Sequence, residues 1–217
     1  LKFFQNHGLF KLKNRPQWYT VTNRSKTYVN KIISQISGEY YKNYKVSKIK
    51  RKSNGLDLYY GGESEFFDYD KVIIATHADE ALKLIENPTD DEKSILSKFN
   101  YKENIAYIHT DKQAMPKNKK AWSSWNSSID DKNLEKNSIT YWLNLLQNLD
   151  CDENIFLTLN PYFKIDEDKI LRKVKFTHPY YDQKALDAQS ELFKIQNQKD
   201  LLFCGSYFGY GFHEDGI

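Results

Sequence analysis

The sequence predicts an α/β protein, α+β overall, in which a strand-rich stretch interrupts an α/β frame. Three observations carry this. VIIA at residues 72–75 is a continuous apolar run, the pattern of a strand buried on both faces, and a short helical stretch follows it. LLFC at residues 201–204 repeats the apolar run and leads into glycines at Gly205, Gly209 and Gly211, then the acidic pair Glu214 and Asp215. Between the two, from Tyr101 onward, short strand-like runs alternate with polar loops.

Along the chain, Arg15-Pro16 marks an extended stretch, because proline disfavours helix in the residue before it. Ser25 is placed to cap a helix with Val29, Ile32, Ile33 and Ile36 at helical spacing, and Gly38 closes it. Two strands, 44–49 and 56–60, flank the turn Ser53-Asn54-Gly55. After Asp70 and the strand at 72–75, residues 79–85 form a short helix, and Asp90 caps another that runs to Phe99. The strand-like runs of the middle are 105–108, 121–125, 139–145, 155–159 and 171–176. Asp182 then opens an amphipathic helix with Ala185, Ala188, Leu192 and Ile195 on one face.

Composition narrows the function. At 217 residues and 40% hydrophobic content the chain can bury one good core or two small ones. Lys+Arg 32 against Asp+Glu 29 leaves a net charge of +3, too balanced to imply nucleic acid. The basic stretches 42–52 and 112–120 read as solvated faces, with anion patches as the alternative. Cys151 and Cys204 form no CxxC and no zinc set; Cys204 fits a small buried hydrophobe, and a reducing compartment such as the cytoplasm is compatible with both. No apolar stretch approaches the ~20 residues of a membrane span. His77, His109 and His178 lack metal-ligand spacing and read as structural.

The order strand, glycines, acid-led segment is how a helix N-terminus is aimed at a cofactor: glycines let the backbone approach, and free amides attract negative charge. The run FCGSYFGYGFHEDGI resembles the closing flavin-contact segment of the FAD-dependent amine oxidoreductase family, in particular a bacterial branch of NAD/FAD-binding proteins. The resemblance extends through FFQNHGL, RPQWYTV, VIIATHADEAL, AWSSWN, TLNP and HPYYD, and so over nearly all of the sequence.

That resemblance implies a partial FAD-binding, Rossmann-like domain from residues 18–82 and 192–217, and a mixed-sheet substrate domain from 1–17 and 83–191. It implies FAD as cofactor and a small-molecule substrate, an amine or a lipid-like chain, oxidised by hydride transfer to flavin N5. The family's GxGxxG fingerprint, which would hold the pyrophosphate, is absent here. With the start at Leu1, it suggests an internal piece of a longer protein, inactive alone. Residue by residue, Val46 matches a strand backbone beside the adenine. Gly205 and Ser206 match the turn beside the ribityl chain, where relatives often carry an acid. Phe212, His213, Glu214, Asp215, Gly216 and Ile217 match the segment passing the flavin. His213 is the candidate proton shuttle, with a hydrogen-bonded turn residue as the alternative. Phe212 stands where an aromatic faces the substrate, Tyr207 and Tyr210 lie beside it, and Trp122 and Trp125 line the opposite wall. The family's paired glycines before the first helix are replaced by Asn23-Arg24, which strains a left-handed turn. A non-catalytic binding or scaffold module that keeps the fold without FAD is the rival reading.

Overall fold

The computed structural model describes residues 5, 8–14, 16–17, 19–61 and 65–216, apart from the side chains of His213 and Glu214. The expectations for Phe3, Phe4, Arg15, Trp18 and Ile217 lie outside the described residues. The chain forms two compact units, one of Leu1–Asn100 with Pro179–Ile217 and one of Tyr101–His178. The strand-rich middle is therefore an insertion. Its limits fall at 100/101 and 178/179, whereas the sequence suggested 82/83 and 191/192.

In the first unit, α1 (Ser25–Ile33) starts one residue earlier than the expected cap allows. Its N-cap is Arg24, and Asn23 and Arg24 hold φ of 61° and 68°, the left-handed turn that asparagine tolerates and arginine was expected to resist. The helix stops at Ile33, short of Gly38, where Ser34 turns its hydroxyl back onto the Lys31 carbonyl and the bonding tightens. None of its residues is buried.

An antiparallel meander follows: β1 (Val46–Arg51), β2 (Leu56–Tyr60) and β3 (Glu65–Tyr69), with Ile49, Leu58 and Phe67 in register. Gly55 is required at the first turn, since its φ is 84° and a Cβ would stand 2.5 Å from the Tyr69 carbonyl oxygen. The sequence reading missed β3, whose five residues are all exposed and show no one-sided burial.

The frame's second sheet is a two-stranded parallel pair, β4 (Val72–Ile74) and β10 (Leu201–Phe203), in the register Val72↔Leu201, Ile73↔Leu202 and Ile74↔Phe203. Burial on both faces, expected for β4, holds only in part: Val72 and Ile74 are buried, but Ile73 is 65% exposed. Alternation along a strand sends every second side chain to the opposite face. Helices α2 (Ala78–Leu84), α3 (Asp90–Leu96) and α5 (Gln183–Gln189) contribute Ala78, Ala81, Ile95, Leu96, Ala185 and Ala188 to the core, with Leu192 and Ile195 from the short turn after α5. Asp182 caps α5 as expected, accepting from the Ala185 amide at 2.9 Å. For α3 the cap is Thr89, not Asp90, because Thr89 and Glu92 form a reciprocal capping box.

Glu92 does two jobs while fully buried. One carboxylate oxygen accepts from the Thr89 amide at 2.8 Å, and the other pairs with the Arg51 guanidinium, which also donates to the Asn87 carbonyl at 3.2 Å. β1 is thereby tied to the start of α3, alongside the bridge between Ile49 and Ile85.

The second unit is built on β5 (Asn100–His109), β6 (Trp125–Asp130), β7 (Asn133–Trp142), β8 (Phe156–Leu159) and β9 (Ile170–Tyr180), in the order β6-β7-β8-β5-β9. The pairs β6/β7, β7/β8 and β5/β8 are antiparallel. A four-residue helix, α4 (Leu143–Leu146), ends β7, so the expected strand at 139–145 is cut short. The expected strand at 121–125 is a 3-10 turn at Lys119–Ala121 capped by Asn118, and β6 begins only at Trp125. Asn126 holds this bend, its side chain meeting both the amide and the carbonyl of Ser123. Among the described residues no helix is long and apolar enough to cross a membrane, and no group of His, Cys, Asp and Glu is arranged to hold a metal ion.

Removing Glu92 takes the ionic partner from the largely buried Arg51 guanidinium as well as the cap of α3. Glu92→Ala is expected to lower the unfolding free energy by about 3 kcal/mol in urea titration, with Glu92→Gln, which can still cap, losing less.

Candidate cofactor loop

In open parallel sheets, ligands collect outside the carboxyl ends of the strands, where loops diverge. In the first unit the carboxyl ends of β4 and β10 lie side by side, held by the Cys204 amide donating to the Ile74 carbonyl at 3.0 Å. β4 leads into Thr76 and His77, and β10 into the segment Gly205 to Gly216. The two loops touch at Gly205: its φ is 152°, and a Cβ there would come within 3.3 Å of the Thr76 carbonyl oxygen and 2.8 Å of the Tyr207 ring.

This segment is a compact knot of short turns. Ser206–Phe208 and His213–Gly216 are both 3-10 turns. The Ser206 carbonyl accepts from the Gly209 and Gly211 amides at 3.2 and 3.1 Å and from the Tyr181 hydroxyl at 3.0 Å. The Gln189 side-chain amide donates to the Tyr207 and Gly209 carbonyls at 3.0 and 2.6 Å. Asp215 locks the distal turn, one carboxylate oxygen accepting from the Tyr210 and Phe212 amides at 3.0 and 2.9 Å. Gly209 leaves space for that carboxylate, since a Cβ would fall 2.2 Å from its other oxygen.

The structure brings together Gly205, Ser206, Asp215 and Gly216. A Cβ built on Gly216 would lie 3.6 Å from the Ser206 amide and 4.0 Å from the Gly205 Cα. The backbone of His213 and Glu214 lies in the same turn, and their side chains are outside the described set. One expectation changes: the amides expected to be free at this turn are in part committed, since the Phe212 amide is held by Asp215 and the Asp215 amide by the Phe212 carbonyl at 3.1 Å. The Asp215 carboxylate is turned into its own loop, and the Glu214 side chain lies outside the described residues.

The aromatic candidates divide. Phe212 and Tyr210 are exposed. Tyr207 is fully buried, packed on Phe99 and Phe208 with ring centroids 5.2 and 4.9 Å away, and so belongs to the core. Val46 opens β1, half-buried opposite Tyr60. Trp122 and Trp125 belong to the second unit. Trp122 donates its indole N–H to the Pro116 carbonyl at 2.8 Å and packs edge-on against Trp142 and Phe156, while Trp125 is exposed on β6.

Tyr181 and Gln189, which fasten the loop, were missed. Only the HPYYD motif, which contains Tyr181, gave any sign; Gln189 sits in an ordinary helical pattern with none. Gly211 is needed by the fold, with φ of 92° and Tyr181 hydroxyl oxygen 3.0 Å from a built Cβ, but Gly216 is not. Gly211→Ala is expected to cost about 1–2 kcal/mol of stability from the left-handed backbone alone, measured by thermal or urea unfolding, and Gly216→Ala to leave stability unchanged.

No family model matches the sequence, and no curated protein matches it. Solved structures do. A CLA-producing fatty acid isomerase from P. acnes aligns with a TM-score of 0.60 at 13% identity, over 88% of this chain and 49% of that one. A putrescine oxidase variant aligns at 0.59 and 8% identity, over 89% and 50%. A putative protoporphyrinogen oxidase from Exiguobacterium sp. aligns at 0.54 and 10%, over 95% and 53%. The chain spans about half the length of the proteins it matches. At these identities the likeness is one of fold, and the chain has the α/β fold that these oxidases and this isomerase share.

Proposed function

We propose that the chain is part of an FAD-dependent oxidoreductase of the amine-oxidase type, acting on a small amine or a lipid-like chain. One observation carries this reading: a glycine-rich loop, closely fitted by the Thr76 carbonyl and the Tyr207, Asp215 and Tyr181 side chains, stands at the paired carboxyl ends of β4 and β10, where such a fold receives a cofactor. The first unit takes the cofactor side and residues 101–178 the substrate side.

The residues fit FAD on one side only. Gly205, Ser206 and Gly216 offer backbone and a hydroxyl next to one another, with no Cβ at two of the three positions. The pyrophosphate fingerprint is not among the residues of this chain. Bound flavin would supply the hydride acceptor. The chain's own residues then position and shield: Phe212 and Tyr210 present exposed rings to a substrate, Tyr181 and Gln189 hold the loop that carries them, and His213 is the candidate for moving a proton. Both substrate classes find a counterpart among the matched proteins, whose names include amine oxidases and a fatty acid isomerase.

A fold-only binding module is the second reading, and Asp215 favours it. A carboxylate already seated on the Tyr210 and Phe212 amides leaves those donors committed to the protein itself.

FAD titration of the chain, followed by quenching of flavin fluorescence, separates the two. Weak saturable binding is expected, lost in Gly216→Val and retained in Gly38→Val, where a side chain meets open space, with tight binding only in a polypeptide that also carries GxGxxG. No binding in either form, or binding indifferent to Gly216→Val, overturns the oxidoreductase reading. Anaerobic bleaching of bound flavin by an amine panel against unsaturated fatty acids then assigns the substrate class.

A further inference from the structure

The second unit holds a histidine that the proposed chemistry does not use. His109, at the end of β5, is 0% exposed. Its Nδ1 accepts from the Asp111 backbone amide at 3.1 Å, and its Nε2 lies 2.8 Å from Thr158 Oγ1, which in turn lies 2.9 Å from Thr140 Oγ1. The first contact fixes the tautomer. A backbone amide only donates, so Nδ1 carries the lone pair and Nε2 carries the proton, which it gives to Thr158.

The amide held in this way belongs to a residue on which two turns depend. Asp111 is 2% exposed, and its carboxylate accepts from the Gln113 and Asp166 amides, each at 3.1 Å. The Lys169 ammonium stands 3.7 Å from the same carboxylate, and the Thr110 amide donates to the Lys169 carbonyl at 3.1 Å. Thr110, Asp111, Gln113 and Lys169 line one wall of a cavity of about 430 Å³, which Asp152 and Glu153 complete.

A second proton on the ring would set an Nδ1–H against the Asp111 N–H at hydrogen-bond distance, donor against donor. It would also place a charge where β8 and β7 offer only Phe156, Thr158 and Thr140, none of which titrates. The charged groups on this side are Asp111, two residues along the chain, with Lys169 and Asp166 meeting it from the opposite turn and Lys112, Asp152 and Glu153 lining the cavity.

We propose that His109 is an acid-released clasp: neutral, it holds the Asp111 turn and the cavity wall in place, and protonated, it lets both go.

Burial holds the His109 pKa below the ordinary histidine value, against a smaller opposing pull from Asp111. The folded value therefore lies under the unfolded one, so the clasp contributes fully above about pH 6.5 and is lost as pH falls through the folded value. Burial pushes the Asp111 pKa up, but the amides of Asp166 and Gln113, with Lys169 and His109, together outweigh it and hold the carboxyl below the ordinary aspartate value, so its own contribution fails only at lower pH.

Amide hydrogen exchange on the whole chain tests this at Asp111, Gln113 and Asp166. After correction for intrinsic rates, protection is expected to be flat above about pH 7 and to fall by up to about tenfold per pH unit as pH drops below about 6.5. In His109→Gln that fall is expected to vanish. Flat protection in the native chain, or an equal fall in the variant, overturns the clasp. Where His109→Gln does not fold, nitrogen NMR of the native ring decides: an Nδ1–H tautomer at neutral pH, or a ring titration that does not coincide with the loss of protection, overturns it.

Discussion

The parallel pairing of β4 with β10 is the constraint on which the first unit rests. It joins residues 72–74 to residues 201–203, and the whole of the second unit lies in the sequence between them. Parallel strands cannot be joined by a tight turn, so the chain must leave and return, and what happens in the interval is free to become a separate compact body. The same pairing sets two loops at one end of the sheet. Everything argued for Gly205 to Gly216 follows from that placement, because the glycines acquire meaning only where another backbone, that of Thr76, is already close.

Packing around the pair is dense where it bears on the loop and sparse elsewhere. Tyr207 anchors the start of the loop in the core, Tyr181 and Gln189 fasten its carbonyls, and Asp215 closes its far turn. By contrast α1 buries none of its residues and β3 lies exposed along its length. A rigid loop presented by a lightly covered frame is consistent with a part of a larger cofactor-binding body, the reading proposed above.

Much of this was legible in the sequence, and the failures have physical causes. The apolar runs at 72–75 and 201–204 announced strands because a short continuous apolar run is the pattern of a buried strand, and Gly205 ends the second one. Asp182 announced α5 because a carboxylate before an apolar periodicity is a cap. β3 escaped because EFFDY lies at the edge of a sheet with both faces exposed, so no face-dependent alternation marks it. Thr89 escaped as the cap of α3 because Asp90, beside it, is equally suited, and only the reciprocal bond with Glu92 chooses between them. In the candidate site, glycines gave away the loop, but the contacts fixing it come from Gln189 and Asp215, whose partners are backbone atoms that no side-chain pattern records.

The Gln196 side chain has a further consequence for how the small parallel sheet relates to other strands. β10 turns the backbone of Asp200 and Cys204 toward β4, so by alternation Phe203 presents its own amide and carbonyl on the opposite side, and there Gln196 meets both at 3.0 Å. A side-chain amide thus imitates a neighbouring strand and seals that edge. Along β4 it is Ile73, between Val72 and Ile74, whose backbone groups face away from β10. Among the described residues, Gln196 therefore closes the β10 side of this two-stranded sheet to a further strand, so that extension of the sheet is confined to the β4 side.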